Sequence, residues 1–410
     1  MRFLKIEQCG TNNTIKSVPD KLPPLMVIKL VRPPVDQYRH GKHRENHFTG
    51  AKGNVFFSPI SLHAVLSMLY HGAQGGTAHA LVHTLKNSDA EGYRAVIDDL
   101  NSLKEVKLMM ANKIYGNKTK SKLLKEFENV LTKNFSSEVE FLDMAHQKES
   151  SKIINKWVEE KTENKIKNIV NENNFNENVS LILVNAIYFK GKWSSQFDES
   201  KTKTADFFLD KVNSIDVKMM YDKGKYVYKY DKELDAQVIE IPYRGFHTSM
   251  ILILPSEDNN IKNLEAKLST SDFSKITEHL KLEDVHLYLP KFKMEETIKL
   301  NDILSELGLS DIFDVKKANF GGIIEGITLT NNLYVSEIIQ KAYIKVNEGG
   351  TEAAAATRAS MMVGCAPGRP QPVIFKVNRP AVFMLVASHG ADRTATRSIL
   401  FYGRLSHPNY

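Results

Sequence analysis

The chain has 410 residues, 42% hydrophobic and 25% charged, and this ordinary globular composition excludes collagen-like and low-complexity proteins. The net charge of +7 first suggests nucleic acid, but residues 1–50 carry nine Lys or Arg against four Asp or Glu. The remaining body is nearly balanced, which argues against nucleic acid. Two cysteines, Cys9 and Cys365, exclude a disulfide framework and a cysteine-based metal site. No stretch has the length and apolar character of a membrane span.

Residues 1–50 are predicted to form a basic arm, extended or disordered, because prolines and charges are scattered through them. Residues 51–410 are predicted to form one domain, since no linker rich in Pro, Gly and Ser interrupts them. Residues 1–10 lack the apolar core of a secretory signal peptide. Four Asn-X-Ser/Thr triplets would be usable as glycosylation sites if the chain were secreted. They start at Asn12, Asn117, Asn134 and Asn178.

A globular pattern begins at Asn54. Ser58 is a predicted helix cap, with Pro59 at the first position of a helix that runs to about Leu69. The glycine-rich segment 72–77 ends this helix and starts another. A strand is predicted to follow at residues 108–115.

The densest basic cluster of the body comes next. Anionic groups of a sulfated polysaccharide could bind there, although a solvated helix face is the preferred interpretation because Glu126 and Glu128 dilute the charge. The cluster consists of Lys118, Lys120, Lys122 and Lys125.

An amphipathic helix is predicted over Ile153–Val170. The apolar run at residues 181–189 is typical of a strand buried on both faces. It contains Asn185, which must be hydrogen-bonded there and is either a core network residue or a mobile junction. Several more strands and a helix at residues 300–307 follow without a strict βαβ rhythm, which predicts an α+β domain with large sheets.

The stretch Ile344–Met362 begins as a strand and continues as a tail of very small residues. Thr351, Ala353 and Ala355 start a small or apolar set at period two, so the tail could slide between two existing strands. An Ala-rich helix over residues 351–359 is the competing interpretation. The local sequence does not separate the two.

Signature motifs of enzymes are missing: there is no Gly-X-Ser-X-Gly, no His-Glu-X-X-His, no Cys-X-X-Cys and no Gly-X-Gly-X-X-Gly. We therefore expect neither catalysis nor a bound metal.

Several ordered motifs resemble those of the serpin family, and the resemblance covers residues 54–408. They are Asn54-Val-Phe-Phe-Ser-Pro-Ile-Ser61, Gly72-Ala-Gln-Gly-Gly-Thr77, Leu183-Val-Asn-Ala-Ile-Tyr-Phe-Lys-Gly-Lys-Trp193, Asn347-Glu-Gly-Gly-Thr-Glu-Ala-Ala-Ala-Ala-Thr357 and Phe375-Lys-Val-Asn-Arg-Pro380. The resemblance implies a serpin fold with three β-sheets, surrounding helices and an exposed reactive loop at about residues 348–374.

The resemblance also implies a suicide-substrate inhibitor of a serine protease, with a cysteine protease as another possible target. A protease cleaves the loop, and the freed hinge inserts as a strand into the large sheet. The hinge comprises Glu348, Gly349, Gly350, Thr351, Glu352, Ala353, Ala354, Ala355, Ala356 and Thr357. Its small residues favour an inhibitory member over a carrier or structural protein, which is the alternative.

The resemblance also implies a scissile bond in the loop, and two spacings found in the family place that bond differently. Counting sixteen residues from Glu348 gives Gly364, which is followed by Cys365. A small residue at this position suits an elastase-like protease. Counting back from Pro380 gives Arg369 before Pro370, where a trypsin-like protease would cleave poorly. We prefer the bond at Gly364.

A polar junction where the sheet opens is a further implication of the resemblance. Ser58, Ser61, Asn185 and Gln340 would form it, and Trp193 would lie at the top of the sheet where the hinge enters. The resemblance favours a secreted monomer, with the cytoplasm as the alternative compartment.

Overall fold

The computed structural model describes residues 53–85, 98, 106–118, 122–326, 332–351, 371–388 and 397–410. The predicted arm therefore lies outside the described residues. Within the described ranges, no helix has both the length and the hydropathy required to cross a membrane.

Helix α1 starts where the sequence predicts. The Ser58 side chain accepts a hydrogen bond from the Ser61 N–H at 3.3 Å, and Pro59 takes the first helical position. The helices are α1 (Pro59–Gly72), α2 (Gly75–Leu85), α3 (Lys125–Phe135), α4 (Gln147–Lys161), α5 (Ile261–Leu268), α6 (Phe273–Thr277) and α7 (Asn301–Leu304).

Helix α4 ends at Lys161, so the predicted helix over Ile153–Val170 is wrong beyond that residue. Glu163 and Asn164 have φ values of 49° and 59°, and an α-helix cannot continue through this left-handed region. The later apolar residues of the pattern are buried in the same core as the helix, although they follow the turn. They are Ile166, Ile169 and Val170.

The strands occupy the runs that the sequence indicates, together with shorter ones. They are β1 (Val55–Phe57), β2 (Val106–Asn117), β3 (Val139–Leu142), β4 (Leu181–Lys192), β5 (Lys203–Phe208), β6 (Ser214–Asp231), β7 (Ala236–Pro242), β8 (Thr248–Pro255), β9 (Lys281–Pro290), β10 (Phe292–Lys299), β11 (Val335–Asn347), β12 (Gly350–Thr351), β13 (Val373–Lys376), β14 (Ala381–Ser388) and β15 (Arg397–Leu405).

The described strands form two hydrogen-bonded sheets in place of three separate ones. The six-stranded sheet has the order β10-β11-β12-β4-β2-β3. The nine-stranded sheet has the order β1-β15-β14-β8-β7-β6-β9-β13, with β5 also paired to β6. Strand β6 is 18 residues long and pairs in turn with β5, β9 and β7, so it joins two of the expected sheets into one. The helices and mixed sheets confirm the α+β class.

Strand β4 is buried on both faces, as its apolar run predicts. Leu183 and Ile187 point into the main core, whereas Ile182 and Val184 belong to a second core shared with Ile154 of helix α4. The six-stranded sheet is therefore a middle layer, and its centre is shielded from water on both sides.

Candidate functional site

The site is a gap at one end of the six-stranded sheet. Strands β11 and β4 are parallel partners from Val335 opposite Leu181 to Tyr343 opposite Tyr188. Beyond this point they separate, and β12 lies between them, antiparallel to both. The first residues of the hinge thus already occupy the end of a strand position between β11 and β4.

A tight turn brings the hinge back into this gap. The Asn347 side-chain oxygen accepts hydrogen bonds from the N–H groups of Gly349 at 3.1 Å and Gly350 at 3.2 Å. Gly350 has a φ of 143°, and a Cβ at that position would lie 2.2 Å from the Gly191 carbonyl oxygen. Only glycine fits there, because the backbone of β4 passes directly beside it.

Trp193 lies against the same turn and is fully buried. Its indole N–H donates to the Asn347 carbonyl at 3.0 Å, and its backbone N–H donates to the Gly349 carbonyl at 3.0 Å. Gln196, which sequence reasoning missed, donates a further bond to Gly349 at 3.2 Å. Tyr243 stacks on the indole with ring centroids 4.4 Å apart. The turn is therefore held by side chains that follow β4 and β7.

Thr351 is the last described residue of the hinge, and it is fully buried. Its hydroxyl lies 2.7 Å from the Tyr243 hydroxyl. Burial raises the pKa of Tyr243 far above its ordinary value, so the phenol stays protonated and available for this hydrogen bond. The Thr351 side chain thus points into the protein, as expected for a member of the period-two set of small or apolar residues.

Glu348 anchors the turn through a buried carboxylate. Lys291 lies 3.0 Å from one carboxylate oxygen, and the Thr202 hydroxyl donates to the other at 2.8 Å. Burial alone would raise the pKa of Glu348, but hydrogen bonds from its own backbone N–H, Lys291 and Thr202 hold the pKa below the ordinary 4.5. The ion pair fixes the point where β11 ends.

The structure brings the predicted polar junction together below the gap. Gln340 on β11 lies opposite Asn185 on β4, and its amide donates to the Asn185 side-chain oxygen at 2.6 Å. The same amide donates to the Ser58 carbonyl at 3.1 Å, and Gln340 accepts from the Ser58 N–H at 2.8 Å. Asn185 donates to the Ser61 hydroxyl. One buried network thus connects β11, β4 and the start of helix α1.

Asn112 on β2 is a member of this network that sequence reasoning missed. It lies opposite Asn185, from which its side-chain oxygen accepts a hydrogen bond. The Ser61 hydroxyl donates to the same oxygen at 3.4 Å. A signal was present, since Asn112 interrupts a strand that is otherwise largely apolar, as Asn185 does.

The basic cluster is partly neutralised by ion pairs. Lys118 lies 2.6 Å from Asp143, and Lys122 lies 3.5 Å from Glu325. Lys125 begins helix α3. Binding of a polysaccharide at this cluster stays a prediction.

Several predicted site residues lie outside the described residues. They are Lys120, the later hinge residues Glu352, Ala353, Ala354, Ala355, Ala356 and Thr357, and both candidate scissile bonds, Gly364-Cys365 and Arg369-Pro370.

The sequence has relatives that it matches over most of their length. Leukocyte elastase inhibitor of Xenopus tropicalis is 35% identical over 376 residues, which cover 89% of this chain and 96% of that protein. Iris of Ixodes ricinus is 38% identical over 359 residues, or 86% and 92% of the two chains. Serpin B6 of Pongo abelii is 34% identical over 366 residues, or 87% and 93%.

Solved structures share the fold. Serpin48 of Tenebrio molitor has a TM-score of 0.76 at 28% identity, covering 94% of this chain and 96% of that one. Human thyroxine-binding globulin in complex with thyroxine has a TM-score of 0.77 at 28% identity, with coverage of 88% and 93%. The family model described as serpin (serine protease inhibitor) matches residues 42–408. The chain therefore belongs to the serpin family.

Proposed function

We propose that the protein inhibits a serine protease as a suicide substrate. The observation that carries the proposal is β12, which already occupies two residue positions between β11 and β4. A protease that cleaves the loop and forms an acyl-enzyme would release the chain after Thr351. That chain can then extend β12 as a new strand and carry the protease with it.

The register of β12 supports insertion of the rest of the hinge. Thr351 lies opposite Val346 on β11 and opposite Gly191 on β4. If both registers continue, Thr357 arrives opposite Gln340 and Asn185, so a small hydroxyl residue meets the polar network. The alternate residues before Thr357 on its inward-facing side are alanines, which fit a crowded strand position.

Backbone pairing supplies a sufficient driving force. A dozen added strand residues, at about 0.5 to 1.5 kcal/mol per net hydrogen bond, provide on the order of 10 kcal/mol. Typical domains have a stability of roughly 5 to 15 kcal/mol, so insertion is comparable with folding of a whole domain. Insertion must first separate Gln340 from Asn185, and their buried amides give the closed sheet its resistance to opening.

The target we propose is an elastase-like serine protease. One relative is named leukocyte elastase inhibitor, and Gly364 after Val363 offers the small residues that suit the pocket of such a protease. A cysteine protease is the second target class. Cleavage at Arg369 would instead indicate a trypsin-like enzyme, although Pro370 disfavours that bond.

The remaining parts of the proposal concern the state of the protein. We expect a monomer that needs no cofactor, with a sulfated polysaccharide as an accessory ligand at Lys118, Lys120, Lys122 and Lys125. The compartment stays a prediction: the family resemblance suggests secretion, and the cytoplasm is the alternative.

The deciding experiment incubates the protein with elastase-, chymotrypsin- and trypsin-like proteases. A complex that survives a denaturing gel, with the bond mapped by mass spectrometry, is the expected result. Cleavage without any stable complex would contradict inhibition and favour a carrier or structural role. Cleavage of the loop by a non-target protease should also raise the melting temperature substantially, since insertion adds a strand.

A further inference from the structure

The ring of Tyr410 lies between two lysines beside the hinge turn. The Lys291 Nζ is 4.3 Å from the ring centroid, and the Lys345 Nζ is 4.6 Å from it. Both distances are within the range of cation–π attraction. Lys291 precedes β10 and Lys345 is near the end of β11, so one ring spans two neighbouring strands.

The segment before Tyr410 is tied to the body. The Lys293 N–H donates to the Asn409 carbonyl at 2.5 Å, and the Asn54 side chain bonds the backbone of His407 in both directions. Pro408, between these contacts, is buried. The position of the Tyr410 ring is thus set by backbone contacts on either side of a buried residue, although the ring itself is 55% exposed.

Lys291 connects this ring to the hinge, because it also forms the ion pair with Glu348 at 3.0 Å. A lysine side chain has many rotamers, and holding it on one partner costs conformational entropy. The ring offers a second attractive surface for the same ammonium group, and it also attracts Lys345, whose charge would otherwise repel Lys291. Both effects favour the rotamer of Lys291 that reaches Glu348.

We propose that Tyr410 is a positioning residue that holds Lys291 on Glu348 and thereby restrains the hinge before cleavage. This inference rests on the proposed function, since it assigns the restraint to the segment that inserts. Loss of the ring should weaken the ion pair, loosen the turn at Gly349 and Gly350, and ease opening of the gap between β11 and β4.

The first test measures uptake of a synthetic peptide with the sequence of residues 350–363 by the uncleaved protein, followed on native gels. Tyr410→Ala and Tyr410→Leu should accelerate uptake about threefold to tenfold, as expected for loss of a partly exposed cation–π contact. Tyr410→Phe should lie closer to the wild type than to Tyr410→Leu, because it keeps the aromatic face and loses only the hydroxyl, which also interacts with Lys291. Tyr230→Ala, which removes another exposed tyrosine far along β6, serves as the control and should change nothing.

The comparison with leucine separates the ring face from simple apolar packing. Wild-type uptake by Tyr410→Leu, or equal acceleration by Tyr410→Phe and Tyr410→Leu, would overturn the inference. The effect of Tyr410→Ala should also disappear in a Glu348→Gln background, because the ring then has no ion pair to support. An undiminished effect in that background would likewise overturn it.

A second measurement does not depend on insertion. In a Trp157→Phe background, Trp193 is the remaining tryptophan and lies on the turn that follows Glu348. Its fluorescence should report the acid titration of Glu348, with a midpoint that moves further up toward 4.5 in Tyr410→Ala and Tyr410→Leu than in Tyr410→Phe. An unchanged midpoint would refute the positioning role. A different combination is a wild type that fails to take up the peptide and fails to inhibit a protease, while Tyr410→Ala still shifts the midpoint of Glu348. That combination would refute the proposed function but not the positioning role of Tyr410.

Discussion

The hydroxyl of Tyr243 lies 2.7 Å from the hydroxyl of Thr351, inside the gap where β11 and β4 separate. The contact joins a residue that follows β7 in the nine-stranded sheet to the second residue of β12 in the six-stranded sheet. The start of the hinge is thus held in the sheet before any cleavage, and the Thr351 side chain is fully buried there.

If the hinge inserts as proposed, Thr351→Arg should turn the protein from an inhibitor into a substrate of its protease. The guanidinium would have to enter a fully buried position without an ionic partner, which costs several kcal/mol. We expect the yield of protease complex to fall at least about tenfold, since a penalty of about 1.4 kcal/mol already has that effect. Denaturing gels measure the ratio of complex to cleaved protein. Thr351→Ser is the matched control, and an equal complex yield from Thr351→Arg would refute inward insertion.

Asn185→Ala should destabilise the closed sheet. The substitution leaves Gln340, Asn112 and Ser61 without their shared partner in a buried site, at a cost of about 1 to 3 kcal/mol per unsatisfied group. Urea unfolding should give a free energy of unfolding lower by about 2 to 4 kcal/mol. Asn178→Ala, at an exposed asparagine, should lie within about 0.5 kcal/mol of the wild type. A urea midpoint of Asn185→Ala equal to that of the wild type would show that the network contributes little to the free energy of unfolding.

Glu348→Gln should remove an acid-sensitive part of the stability. The pKa of Glu348 is depressed in the folded protein, so its stabilisation is present above the ordinary value of 4.5 and is lost as the pH falls through the folded pKa. The difference in melting temperature between wild type and Glu348→Gln should therefore be large at pH 7 and small at pH 3. A difference that does not change with pH would assign the effect to packing instead of charge.

Glu296→Gln should stabilise the protein at alkaline pH. Burial, together with the neighbouring Glu295, raises the pKa of Glu296 to about 7 on strand β10. The folded state then holds a proton that the unfolded state releases, so this group lowers stability as the pH rises from about 4.5 to 7. Glu296→Gln should raise the melting temperature at pH 8 and have little effect at pH 4.5. The reverse order would contradict the raised pKa.

Local patterns predicted much of the fold. The Ser58 cap, the break at Gly72 and the run from Leu181 into β4 each depend on residues close in sequence, and the structure has them where expected. The helix pattern at Ile153–Val170 failed for an instructive reason. Residues on both sides of a turn are buried in one core, so their apolar spacing continues although the helix has ended.

The sequence by itself determined the family, the small residues of the hinge and the two glycines that permit its turn. Only the tertiary structure decided which groups surround the hinge and the network below it, because Asn112, Gln340 and Tyr410 come from segments far apart in the sequence. Sequence patterns carry local spacing, whereas register across strands sets contacts over long separations. That register places Asn185 between Asn112 and Gln340, and it leaves the gap above them into which Thr351 fits.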